Sequence, residues 1–378
     1  MKKKILFLII LFFFVGCLKN PPTAEDGKLQ LQVVIVDKSG LVQVKPELGY
    51  APLANARAML ESKDYFLKPN QPIRYQAYSD SRGVVRFNDL PLGRYTLTVV
   101  KELPLSVSGQ NPDTLRITGN KLIDLIQTFT MDTLKTNVAF KSSLVINEIY
   151  YCGPKNSSYY FYDQFIELYN NSDSTVYLDG VIIGQGKKSF KPDQDSVDYV
   201  QVIKIFQFPG QPRRGRQYPL APHEYLVIAQ DAIDHSQFVA TALDLSTADW
   251  EFYDPYGFEV DNPAPNIVNA LPDNPGDFLI SLWHDFIILA DGSAFFPGEV
   301  VDENIQYYHI PLNTVIDGVE YSSNGNSIKL LTSRIDGGFA GVGLSRYSGK
   351  SVQRRLPGFD TNNSSLDFII LNHPTPGY

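Results

Sequence analysis

From Leu29 onward, apolar residues recur at every second position in short runs, and each run is cut off by glycine, proline or a small polar residue. Leu29, Leu31, Val33 and Ile35 share one parity, as do Ala54, Ala56, Ala58 and Leu60, and as do Tyr95, Leu97 and Val99. A period of two sets alternate side chains on opposite faces of a strand, so each run reads as a strand with one face inward. With 27 Gly and 25 Pro, beside 22 Tyr and 23 Phe, the chain favours short strands and many turns and excludes an all-helical bundle. At 378 residues, 43% hydrophobic and 20% charged, it has the balance of a folded protein of two or three domains. Two Cys and five His are too few for a disulfide framework, a four-cysteine zinc site or an iron–sulfur cluster, and no cofactor is expected.

The N-terminus sets the expected compartment. Met1 and three lysines precede Ile5–Val15, an uncharged apolar run of 11 residues, then Gly16 and Cys17. A spanning helix needs about 20 apolar residues, so residues 1–16 read as a secretory signal peptide. A small residue directly before Cys17 suits lipoprotein processing, in which the thiol receives a diacylglycerol and the new amino terminus is acylated. Residues 17–27 then read as a lipidated tether, and multiple acyl chains give stable anchoring at about 0.8 kcal/mol per buried methylene. The expected location is the outer membrane, lipid-anchored, on the cell surface or the periplasmic face. Glu25-Asp26 lies farther from the cysteine than the acidic export signal of some Bacteroidetes lipoproteins. Without the three leader lysines, 30 basic residues face 41 acidic ones, a net charge of −11, so no nucleic-acid partner is expected.

Two all-β modules follow. Asp80-x-x-Gly83-x-Val85-x-Phe87-x-x-Leu90-Pro91-x-Gly93-x-Tyr95-x-Leu97-x-Val99 resembles the closing hairpin of the carboxypeptidase-regulatory-like, transthyretin-like β-sandwich, and the resemblance spans residues 28–137. Gly83 and Gly93 mark its turns, both expected at positive φ, and residues 122–138 are expected to add an edge strand. From Ser143 the pattern changes to Leu144–Ile149, Asp163–Asn170, Val176–Val181 and Glu224–Ala229, closing with Ser351–Arg355, Asp360–Asn363, Leu366–Phe368 and Pro374–Gly377. Together these resemble the lamin-tail domain, an immunoglobulin-like sandwich, over residues 138–378. The stretch 230–285 is longer than such a sandwich requires and reads as an insertion, with one short helix over Asp231–Leu243 followed by loops at Asp254–Gly257 and Asn262–Asn266. The fold class expected is thus two tandem β-sandwiches after a lipoprotein signal peptide. This order resembles a family of Bacteroidetes lipoproteins associated with TonB-dependent outer-membrane receptors, which implies an outer-membrane protein partner and a non-enzymatic binding role. An extracellular hydrolase of glycans or phosphoesters, built in the insertion region, and a surface adhesin are the rival expectations.

Candidate chemistry is sparse. Glu148 and Glu167 hold corresponding places in two strands, and Arg354 or Arg355 could meet one of them bidentately; paired acids also serve glycosidases. His223, His235, His284, His309 and His373 show no metal-ligand spacing. Asp193-Gln-Asp195 and Asp360–Asn363 offer oxygen atoms but follow no EF-hand pattern and suit turns. Cys152 reads as a buried small hydrophobe, and Gly337–Gly343 lacks the lysine of a phosphate loop. The binding candidates are aromatic and basic. Tyr150, Tyr151, Tyr159, Tyr160 and Tyr162, with Phe161, put six aromatics into 13 residues, and in each adjacent pair only one can face a core if the chain is extended. Arg213, Arg214 and Arg216 form a basic loop on an acidic protein.

Overall fold

The computed structural model describes residues 29–68, 71–104, 114–139, 142–155, 159–186, 197–257, 259–301 and 305–377. The signal peptide 1–16, Cys17 with its tether, and Asp193-Gln-Asp195 lie outside the described residues. The chain is all-β, with 46% of it in strands and 3% helical.

The first sandwich comprises β1 (Leu29–Asp37), β2 (Arg57–Lys68), β3 (Gln71–Tyr78), β4 (Val84–Leu90), β5 (Gly93–Pro104), β6 (Thr114–Leu125) and β7 (Phe129–Ala139), in the order β3-β2-β5-β6-β7-β1-β4. β1 and β7 run parallel, and the other pairs are antiparallel. The narrow β6–β7 pairing, Arg116–Thr118 against Asn137–Ala139, lets the two halves face each other. Their alternating inward residues, Leu31, Val33 and Ile35 against Leu60, Leu97 and Val99, form one core, each such side chain contributing about 1.5–3 kcal/mol on burial. The expected edge strand near 122–138 is instead β7, held between β6 and β1, because β1 has one open side left after pairing with β4. Gly83 holds φ +73° in a turn where Asp80 accepts from the Arg82 and Val84 amides. Gly93 opens β5 and is not among the left-handed glycines; Asp89, at φ +55°, takes that conformation instead.

The second sandwich is built on β8 (Leu144–Tyr150), β9 (Phe165–Asn170), β10 (Val176–Tyr177), β11 (Ile182–Gly186), β12 (Tyr199–Val202), β13 (Lys204–Gln207), β14 (Pro219–Leu220), β15 (Tyr225–Ala229), β16 (Trp250–Tyr253), β17 (Asn266–Asn269), β18 (His284–Ala290), β19 (Phe296–Val301), β20 (Ile305–Pro311), β21 (Val315–Ser322), β22 (Ser351–Arg354) and β23 (Phe368–Leu371). Eleven of these form one sheet, β21-β18-β11-β13-β17-β16-β15-β9-β8-β22-β23, flanked by the sheets β12-β20-β19 and β10-β14. The long sheet curls until β21 lies beside β8, where Asp317 accepts from the Ile146 amide at 2.7 Å. One core fills the curl, from Ile146 and Phe165 to Phe252 and Tyr321; a second, with Val202, Ile288 and Ile310, lies under β12-β20-β19.

One expectation changes here. Asp231–Leu243 forms no α-helix; a 3-10 turn at His235–Gln237 is capped by Asp234, which competes with helix propagation by accepting from Ser236. The loops expected at Asp254–Gly257 and Asn262–Asn266 are present save that Asn266 opens β17, and beside them β16 and β17, which the sequence reading did not anticipate, enter the centre of the sheet and bridge β15 to β13, the first two pairings parallel. Among the described residues no helix is long and apolar enough to cross a membrane. The modules meet through polar contacts: Asn120 Nδ2 donates to Asn362 O at 2.7 Å, Asn363 Nδ2 to Thr98 Oγ1 at 2.6 Å and Arg74 to Ser365 O at 3.0 Å.

Candidate functional site

The aromatic segment splits in two. Tyr150 ends β8 and Tyr151 follows it, yet both rings are buried, so the expectation that one of them faces a partner is corrected. β8 stops at Tyr150, strand alternation stops with it, and Tyr151 turns inward to stack on Tyr321 with centroids 4.1 Å apart. Tyr150 donates to Asp163 Oδ2 at 3.2 Å, and burial pushes the Asp163 carboxyl up to about 6. These residues are supports. Gln164 donates to Tyr151 O at 2.9 Å and to Ile280 O at 2.8 Å, and its own oxygen accepts from the Ile280 amide, which ties the approach to β18 to the end of β8.

Past that approach stands Trp283, 53% exposed, and Tyr159, 84% exposed, shares its surface. Both line a groove of about 740 Å³ whose remaining wall is Ser323 and Gly343–Tyr347. Its floor is laced to the β8 end: the Tyr347 amide donates to Cys152 O at 2.6 Å, the Gly349 amide to Gly153 O at 3.0 Å, and the Gly343 amide to Ser323 O at 2.9 Å. Cys152 is buried, its thiol donating to Lys350 O at 2.7 Å, with burial raising its pKa. Gly153, at φ +78°, lies against the Tyr347 ring, where a Cβ would approach to 3.1 Å. Arg346 caps one face of Trp283, its guanidinium carbon 3.8 Å from the ring centroid. Tyr159 and Tyr347 adopt φ of +73° and +53°, conformations that cost about 1–3 kcal/mol each for non-glycine residues and persist where the surroundings enforce them.

Tyr160 and Tyr162 extend the aromatic surface beside the groove. Tyr160 is half-buried, its hydroxyl 2.6 Å from His235 Nδ1 and its ring stacked on the exposed Phe238. His235 Nε2 meets Asp231 O at 3.0 Å, so the proton sits on Nε2 and Tyr160 donates to Nδ1. Burial lowers the His235 pKa, which agrees with a neutral ring. Tyr162 is 40% exposed, with Phe161 stacked upon it.

The basic loop does not join this surface. Arg213 pairs with Asp291 at 2.5 Å, at the far end of β18 from Trp283, a separation of about 26 Å at 3.3 Å per residue. Arg216 lies over the Tyr177 ring at 4.6 Å, Arg214 is exposed, and Asp179 anchors the loop by accepting from the Gln217 and Tyr218 amides. Glu148 and Glu167 stand opposite each other across β8 and β9, but neither meets Arg354. Glu148 accepts from Ser351, Gln353 and Thr375, and its carboxyl is raised by burial; Glu167 accepts from Asn147 at 2.7 Å and the Gly377 amide at 2.8 Å. Arg354 pairs with Asp317 at 2.8 Å beside Asp360 and Asp367, and Arg355 donates to Leu366 O. Among the described residues no group of three His, Cys, Asp or Glu is arranged to hold a metal ion. Sequence reasoning missed Trp283, Arg346 and Tyr347; the one signal was a tryptophan set just ahead of an apolar strand run, at a polar border.

A sequence profile of the lamin tail domain matches residues 137–294, and a profile described as a protein of unknown function, DUF4876, matches residues 221–375. No curated protein matches the chain. The chain is similar to a DUF4876 family protein of Bacteroides thetaiotaomicron, at 22% identity and a TM-score of 0.54 over 90% of this chain and 94% of that one, which places the two in one fold. Smaller likenesses are to a DUF3823 family protein of Bacteroides uniformis, at 9% identity and TM-score 0.19 over 78% and 99% of the two chains, and to the minor pilin of Streptococcus agalactiae, at 14% and 0.19 over 53% and 82%.

Proposed function

We propose that this chain is a non-catalytic lipoprotein, anchored through Cys17 in the outer membrane, whose aromatic groove captures an outer-membrane protein partner of the TonB-dependent receptor type. The observation that carries the reading is the pair Tyr159 and Trp283, large aromatic side chains held out of the core that line one groove. Exposed aromatics rimmed by polar residues favour recognition, and Trp, Tyr and Arg are the residues whose truncation most often costs about 2 kcal/mol or more in an interface. The placement of Glu148 and Glu167 inside the sheet, each occupied by structural donors, supports a binding role over a hydrolytic one.

The test is capture from solubilised outer membranes by the immobilised full chain, with bound proteins identified by mass spectrometry. Trp283→Ala or Tyr159→Ala is expected to weaken capture of a receptor at least tenfold, about 1.4 kcal/mol, at an unchanged melting temperature, while Arg214→Ala leaves it intact. Wild-type capture by both groove variants would overturn the reading.

A further inference from the structure

The long sheet ends at β23, and among the described residues no strand pairs with its outer side. In an antiparallel ladder alternate residues send their N–H and C=O groups away from the partner, so β23 offers a row of unused backbone donors and acceptors. This edge does not face open solvent. It borders a cavity of about 260 Å³ between the two sandwiches, walled by Glu61 and Lys63 of β2, Arg74 of β3, and Phe339, Arg355 and Ile370.

The charges in this cavity do not balance. Glu61 is buried and meets Arg74 at 2.8 Å and Lys63 at 3.4 Å, while Arg355 has no ion-pair partner among the described residues. Burial, and then the neighbouring Arg74, lower the Arg355 pKa against the smaller opposing pull of Asp367 and Glu61. Among the residues lining the cavity, three cations face one carboxylate, a net +2 on a chain whose formal charge is −8. Phe339, Phe368 and Ile370 supply an apolar wall beside them.

We propose that the cleft between the sandwiches receives an extended acidic peptide segment of a partner protein, which adds to the free edge of β23 and sets a carboxylate against Arg355 and Arg74. Strand addition explains why edge, apolar wall and cations coincide: backbone pairing supplies affinity, and the pockets for alternate side chains supply selectivity. A lone small anion would use only the cations.

The probe is a fluorescein-labelled, end-blocked heptapeptide alternating Val and Glu, followed by anisotropy against the full chain. Saturable binding is expected, weakened by salt and at least tenfold by Arg355→Glu, with little binding of the Val/Lys counterpart or of a Val/Glu peptide N-methylated on alternate amides. Melting curves confirm that Arg355→Glu is folded, and Arg355→Gln replaces it if it is not. Absence of binding, equal binding of the Lys or N-methylated peptide, indifference to both Arg355 variants, or displacement by glutarate as effective as by unlabelled peptide would overturn the proposal. So would occupation of the edge by a second copy, seen as a dimer that excludes the peptide. The Trp283→Ala variant should bind the peptide normally, which separates this slot from the aromatic groove.

Discussion

A Cβ at Gly83 would lie 2.7 Å from the Ile35 carbonyl oxygen, and the residue holds φ at +73°. Gly83→Val should therefore destabilise the first sandwich by about 1–3 kcal/mol, whereas Gly93→Val, at the mouth of β5, should stay within about 0.5 kcal/mol. Urea denaturation of the two variants checks this, and equal midpoints would contradict it. The hairpin motif made both turns legible but not which residue bears the left-handed backbone; Asp89 took that conformation because aspartate tolerates it and the chain turns before Pro91. Tyr151 marks the same limit. Its inward ring depends on Tyr321, far along the chain, and strand parity carries no information once the strand has ended.

At the scale of elements, the lamin-tail-like strands β8, β9, β15 and β22 were legible because their apolar runs are short and bounded by polar turns. β16 and β17 were not: each has four residues, too few for a period to show, and their parallel pairing is fixed only by the tertiary fold. This region also concentrates acids. Desolvation with Asp277 and Glu251 nearby raises Asp231 to about 6, and desolvation with Asp277, Asp231 and Asp254 nearby raises Glu259 to about 8. A carboxyl whose folded pKa lies above its unfolded value keeps its proton longest in the folded state, so stability is lost as pH rises through the folded value. Asp231 and Asp163 act up to about pH 6 and His235 mainly below its ordinary value, while Glu259 acts on to about pH 8, over an interval it shares with the buried Asp367, which desolvation raises well above the usual carboxylate range. The melting temperature should fall between pH 6 and 8, and Glu259→Gln, which keeps an oxygen to accept from the Asp254 amide, should reduce the fall. The same fall in the variant would contradict the assignment.

Over the whole molecule, the order of two sandwiches was readable from motif and parity, while the convergence of distant segments on the groove was not. The groove draws on position 159, position 283, Ser323 and the 343–347 loop, segments separated by up to 188 positions, and their convergence follows from the curl of the sheet and from Gln164 and Cys152 fastening the loops. The docking of the sandwiches through Asn120, Asn362, Asn363 and Thr98 likewise uses residues that read as ordinary turn and strand polar groups. The central claim is that the partner seats on the aromatic groove at one end of β18 and not on the basic loop at the other. It is tested most directly by placing a photo-crosslinking amino acid at position 283, 159 or 214 in the full chain, expressed in its own host with the N-terminal segment through Cys17 intact, and irradiating isolated outer membranes. The account predicts one adduct with an outer-membrane protein from positions 283 and 159 and none from 214; an adduct from 214 with none from either groove position would contradict it.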